Sequence, residues 1–193
     1  MLEGLQRRRE VVAGGGLYRR ITRPAWASGA TFAPTRLLLL LALVGVFVAG
    51  GVSIARPAAA DTADLQRHLT RLVNASRTQA GKPPLLISAG LRGIAKDWSS
   101  VMARRDQLTH NPRRAQQVER RVTRKWVHLG ENIGYAIDSD ATLKQLAGRI
   151  HSMLMRSPGH RANVLGDFGR VGIGVRVTGE GKLWVTQVFM KRR

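Results

Sequence analysis

The chain has 193 residues, enough for one ordinary domain with an appendage. It carries 32 Lys and Arg against 12 Asp and Glu, a formal net charge of +20, and no cysteine. The absence of cysteine excludes disulfide staples, thiol catalysis, iron–sulfur clusters and Cys-based zinc sites, so the fold rests on packing alone.

The charge is not confined to one end. Residues 1–60 hold eight Arg and two Glu, while residues 61–193 hold 24 basic and ten acidic residues, a net +14. A surplus of that size draws anions to the domain, among them anionic lipid headgroups, acidic wall polymers and nucleic acid. Residues 1–36 are rich in Gly and Arg and have no period; Gly14-Gly15-Gly16 and Pro24 break any helix, which predicts a basic, disordered cytoplasmic tail. Leu37 to Ala55 is a nineteen-residue stretch without a charge, flanked by Arg36 and Arg56. As a helix it would span about 28 Å, close to the hydrocarbon thickness of a bilayer. The seven arginines before it place the N-terminus in the cytoplasm by the positive-inside rule. Ala58 and Ala60 fit an A-x-A cleavage site. Residues 37–60 therefore read as a signal peptide cut after Ala60 or as an uncut signal-anchor helix, with the membrane as a partner of residues 37–55 in the second case. Both readings put residues 61–193 outside the cytoplasm.

The domain opens with a helix, capped by Asp61 or Thr62, whose stripe is Leu65, Leu69, Leu72 and Val73. Leu85-Leu86-Ile87 is short and extended. Ser88 caps a second helix with the stripe Leu91, Ile94, Ala95, Trp98 and Met102, running to about Asp106. Residues 112–125 are strongly basic and predict one exposed helix. Trp126 to Ile133 contains a short strand. A third helix, capped by Asp138 or Ser139, carries Leu143, Leu146, Ile150, Met153 and Leu154 and stops at Ser157-Pro158-Gly159. Val171, Ile173, Val175 and Val177 alternate as a strand, Gly179-Glu180-Gly181 turns, and Leu183 to Phe189, apolar on both faces, returns as a central strand. Helices first and antiparallel strands last predict an α+β layered fold.

Three segments place an imidazole or a carboxylate at the end of an element: Leu108-Thr109-His110, Gly130-Glu131-Asn132-Ile133 and Ser157 to Leu165. Two His and one Glu make a mononuclear metal site with open positions, a metal-free acid–base group, or plain structural hydrogen bonds at element ends. Ser99, in a regular helix without an elbow turn, is a poor nucleophile. Trp98, Trp126 and Trp184 read as core, and His68, His128 and His151 carry no demand for a role in a site.

In this order the segments resemble the CAP superfamily (cysteine-rich secretory proteins, antigen 5 and pathogenesis-related proteins), and more closely its bacterial extracellular SCP-like branch. Leu72-Val73-Asn74 with Arg77, Pro83-Pro84-Leu85, the second-helix residues Ala95, Ser99 and Met102, and Trp184 to Phe189 extend the resemblance over about residues 65–190. It implies an α-β-α sandwich, helices flanking a mostly antiparallel sheet, with a cleft lined in the family by two His and two Glu that bind a divalent metal in some members. By position His110 is the first His and Glu131 the first Glu. The second Glu falls at Ser157 and the second His at Trp184, with His160 substituting for it in space. His110, His160 and Glu131 are thus the metal-ligand candidates, for zinc or a similar ion, although no cofactor is required. The resemblance favours a non-enzymatic extracellular binding module for a lipid, a cell-wall polymer or a partner protein. The alternative is a metal-assisted, peptidase-like hydrolase in the same cleft. Export argues against nucleic acid as the partner of Arg113 to Lys125.

Overall fold

The computed structural model describes residues 9–13 and 59–193. The apolar segment 37–55 and most of the tail lie outside them, and no helix among the described residues is long and apolar enough to cross a membrane. In chain order the elements are β1 (Arg9–Ala13), α1 (Ala59–Gln79), β2 (Leu86–Ile87), α2 (Ala89–Arg105), α3 (Arg114–Arg121), β3 (Trp126–Asp138), α4 (Leu143–Arg156), α5 (Pro158–Leu165), β4 (Arg170–Val177) and β5 (Leu183–Arg192). The sheet order is β1-β3-β5-β4-β2, antiparallel except for the short parallel pairing of β2 with β4. The expected sandwich of helices around a mostly antiparallel sheet is present, and β5 is central, as its apolar character on both faces requires.

Strand parity sorts the side chains between two layers. Val171, Ile173, Val175, Leu183, Val185 and Phe189 pack with Leu65, Leu69, Leu146, Ile150 and Leu154 of α1 and α4. On the opposite face Val188, Met190, Ile133 and Trp184 meet Leu91, Ile94, Trp98 and Met102 of α2 and Val118 of α3. The second contact is close because β4 offers glycine there. A Cβ at Gly172 would sit 2.2 Å from the Arg92 nitrogen, and one at Gly174 2.0 Å from the Lys96 nitrogen. Glycine at both positions lets the backbone of α2 lie directly on the strand.

Several elements differ from their sequence-based expectation. α1 begins at Ala59, ahead of Asp61 and Thr62, so neither is its cap; cleavage after Ala60 would remove only its first two residues. α4 is capped by Thr142, not by Asp138 or Ser139: Thr142 Oγ1 accepts from the Gln145 nitrogen, and Gln145 Oε1 accepts in return from the Thr142 nitrogen. That shift leaves β3 thirteen residues long. Ser157-Pro158-Gly159 ends α4 but also starts α5, since proline at the first helical position lacks only an N–H that would be unpaired there anyway. Arg9–Ala13, within the stretch expected to be irregular, is a strand against Gly134–Asp138.

Candidate functional site

α2 ends at Asp106, whose left-handed backbone (φ 46°) turns the chain back toward the sheet. The returning segment is tied down where Trp98 Nε1 donates to the Thr109 carbonyl at 2.7 Å. This delivers His110 to Glu131, which β3 presents on the α2 face beside its register partner Val188. The Glu131 side chain is 1% exposed and that of His110 54%. His110 Nδ1 lies 2.8 Å from Glu131 Oε1. A carboxylate oxygen only accepts, so Nδ1 carries the hydrogen and Nε2 is the ring's remaining polar atom. The same Oε1 accepts from the Asn111 backbone at 3.0 Å and lies 3.2 Å from an Arg114 guanidinium nitrogen. Glu131 Oε2 and Arg114 Nε are both buried without a hydrogen-bond partner.

His160 reaches the sheet from the other side. Glu131 and Asn132 are successive strand residues, so their side chains leave opposite faces. Asn132 is the one that meets α5, donating to the His160 carbonyl at 3.1 Å and to Gln187 Oε1 at 3.1 Å. Asn163 donates to the Glu131 carbonyl at 3.1 Å and to Asn132 Oδ1 at 2.9 Å, which joins α5 to β3 through amides. The imidazole of His160 is buried, with Nδ1 2.8 Å from Ser157 Oγ. Among the described residues no group of three or more His, Cys, Asp or Glu is arranged to hold a metal ion. The donor set argues the same way. A guanidinium already lies beside the carboxylate, His110 keeps only Nε2 free to ligate, and His160 lies against the opposite face of the sheet. The three candidate ligands therefore do not converge on one ion.

Trp184, the position expected for a second His, is a core residue: fully buried against Tyr135 (ring centroids 4.8 Å apart) and four strand positions along β3 from Glu131. Ser99 is buried and hydrogen-bonded to the Gly174 carbonyl and Thr186 Oγ1. His128 stacks on Phe168. His151 is buried with Nε2 2.8 Å from Ser76 Oγ, and burial first, then nearby His68, hold its pKa below the usual imidazole value. Arg161 is exposed.

Two arginines matter more than their sequence context suggested. Arg114 belongs to a run expected to be solvated, yet it pairs with Glu131. Arg77 is 1% exposed and closes the end of α5: its guanidinium donates to the Val164 and Gly166 carbonyls at 2.8 Å each and to the Pro83 carbonyl at 2.9 Å. A cation on the last carbonyls of a helix also meets the negative end of its dipole.

The model of the cysteine-rich secretory protein family, CAP, matches residues 70–189. The chain belongs to the CAP family. Its fold is shared by an outer surface protein of Borrelia burgdorferi (TM-score 0.59, 18% identity, 69% of this chain and 96% of that one). It is shared too by an extracellular SCP-domain protein of Bacillus anthracis (TM-score 0.56, 21% identity, 68% of this chain and 42% of that one). A cysteine-rich secretory protein of Staphylococcus aureus matches with TM-score 0.53 and 19% identity, over 70% of this chain and 40% of that one. The chain thus spans under half the length of the latter two. No curated protein matches. At these identities the likeness is one of fold, and this CAP domain achieves it without the family's namesake cysteines.

Proposed function

We propose that this CAP domain is a non-enzymatic binding module of an exported or surface-anchored protein, and that its partner is an anionic lipid surface or an anionic wall polymer. One observation carries the reading: cations and exposed apolar side chains gather at one end of the sheet. Register places the start of β3, the end of β5, the start of β4 and β2 together, through Trp126 against Arg192, Arg170 against Met190 and Leu86 against Arg170. The large exposed hydrophobic residues among the described ones, Leu86, Ile87 and Val127, all lie there. A groove of about 460 Å³ is lined by Val127, Phe168 and Lys191, and one of about 330 Å³ by Leu86, Phe168, Lys191, Arg170 and Arg192. Lys191 pairs with Asp167, whereas Arg170 and Arg192 have no carboxylate partner among the described residues. Apolar knobs beside unpaired arginines suit a partner that is both anionic and partly apolar. The three structural relatives are an outer surface, an extracellular and a secretory protein, which supports export.

The hydrolase alternative fits less well. Glu131 Oε1 already faces three donors and Oε2 is buried, so the carboxylate presents no open oxygen to a substrate. The test is binding of residues 59–193 to phosphatidylglycerol vesicles, phosphatidylcholine vesicles and an isolated anionic wall polymer. Wild type binds at least one anionic partner, and Arg170→Gln with Arg192→Gln weakens it. Leu86→Ser with Ile87→Ser weakens vesicle binding alone. Equal binding to neutral and anionic vesicles, or none to either partner, rejects the proposal.

A further inference from the structure

The His110–Glu131 site contains a pairing that neither the family resemblance nor the binding role explains. Arg114 is the first residue of α3, a helix with no acidic residue in its first turn. A cation at that end opposes the helix dipole. Most of the Arg114 side chain is nevertheless withdrawn from solvent, with one guanidinium nitrogen 3.2 Å from a carboxylate oxygen that is itself 1% exposed. An arginine in an unfavourable place, largely buried on a buried carboxylate, is held there by that carboxylate.

We propose that Arg114 is a permanent built-in countercation for Glu131 and that it keeps divalent metal ions away from this carboxylate. A buried carboxylate requires a positive partner, and either a metal ion or a guanidinium meets the need. The two exclude each other here. Glu131 Oε1 is already surrounded by His110 Nδ1, the Asn111 N–H and Arg114, and Oε2 is closed off from solvent. A metal at Glu131 would lie against the guanidinium, and two like charges at contact in a weakly screened site repel strongly. An arginine does not escape by losing its proton. The second imidazole that would help retain a metal is on α5, against the other face of the sheet. This proposal stands apart from the binding role, which concerns the opposite charge relation at another surface.

The test uses the full chain in neutral detergent, titrated with Zn²⁺ and with Co²⁺, whose absorption reports ligand type. Wild type is expected to hold no stoichiometric zinc after dialysis. Arg114→Met removes the cation while preserving chain length and helix preference. It should gain zinc affinity by about tenfold or more, as a carboxylate and an imidazole become available. The gain should vanish when Glu131→Gln is added. Arg114→Lys retains a positive charge and should stay as poor in metal as wild type. A folded Arg114→Met with wild-type affinity overturns the proposal, as does an Arg114→Lys that gains zinc. If Arg114→Met does not fold, the wild-type titration decides: stoichiometric zinc that is lost in Glu131→Gln overturns the idea, and its absence, with Arg114→Lys equally metal-free, upholds it.

Discussion

Arg77→Met is the most informative single perturbation of this fold. The wild-type guanidinium makes three bonds of 2.8–2.9 Å to backbone carbonyls and a longer one of 3.4 Å to the Phe168 carbonyl. Hydrogen bonds from a charged donor contribute about 1.5–3 kcal/mol each, so the short three are worth about 4–9 kcal/mol before any offset. The offset is large: burial holds the Arg77 pKa below its usual value, with Asp167 opposing, and methionine escapes that desolvation. Some freed carbonyls will also take water. A net loss of about 3 kcal/mol follows, near 10 °C in melting temperature for a domain of this size. A urea titration of the full chain checks it, with fluorescence of buried Trp98 and Trp184 as the reporter. Arg77→Lys should recover little, because one ammonium cannot fork between carbonyls. A Met variant within about 0.5 kcal/mol of wild type, inside the ordinary range for surface substitutions, would refute the view that this cation clamps α5 to the end of α1.

Three further outcomes are expected. Gly174→Ala puts a Cβ 2.0 Å from the backbone nitrogen of Lys96, so α2 must lift; a loss of about 3 kcal/mol is expected in the same titration, and a neutral result would show that α2 does not rest on β4. Burial, then nearby His68, lowers the His151 pKa, so below its unfolded value near 6.5 the unfolded chain binds more of a proton than the folded chain does. Its contribution is therefore complete above that pH and falls away below it, by at most about 1.4 kcal/mol per pH unit. Unfolding at pH 7.5 and 5.5 should show this slope in wild type and not in His151→Gln. Asp64 and Asp167, held low chiefly by hydrogen bonds from Lys144 and Lys191, matter only below about pH 4. Finally, Val11 and Ala136 are register partners, and the chain has no native cysteine. Val11→Cys with Ala136→Cys should form a disulfide under oxidising conditions in the purified full chain, where no bilayer parts the two segments, and should stay reduced in the exported protein; free thiols in the purified, folded chain would show that the β3 edge is open.

Much of this architecture is legible in one sequence because burial writes a period. The stripe from Leu91 to Met102 places α2, and Leu183 to Phe189, apolar at every parity, can only be a central strand. What escaped was set by local chemistry that reads two ways. Pro158 reads as a stop, yet proline begins a helix as readily as it ends one. Thr142 with Gln145 is a capping box that sits after two tempting alternatives, Asp138 and Ser139. Motif order located His110 and Glu131, and they do meet. The separation of His160 follows from the parity of Glu131 and Asn132, which shows only once β3 is known to be flanked by helices on both faces. Arg114 had one available signal: it lies four residues before buried Val118, so the two share a helix face. Within a run of arginines that hint is easily lost.

The most direct test of the binding role is the salt dependence of association with the anionic partner. Binding of residues 59–193 should weaken steeply between about 50 and 500 mM salt, where the screening length falls from roughly 14 to 4 Å, and the slope should flatten in the Arg170→Gln, Arg192→Gln variant. Binding that ignores salt, or a slope unchanged by those two substitutions, would contradict the assignment of this end of the sheet as the partner's surface.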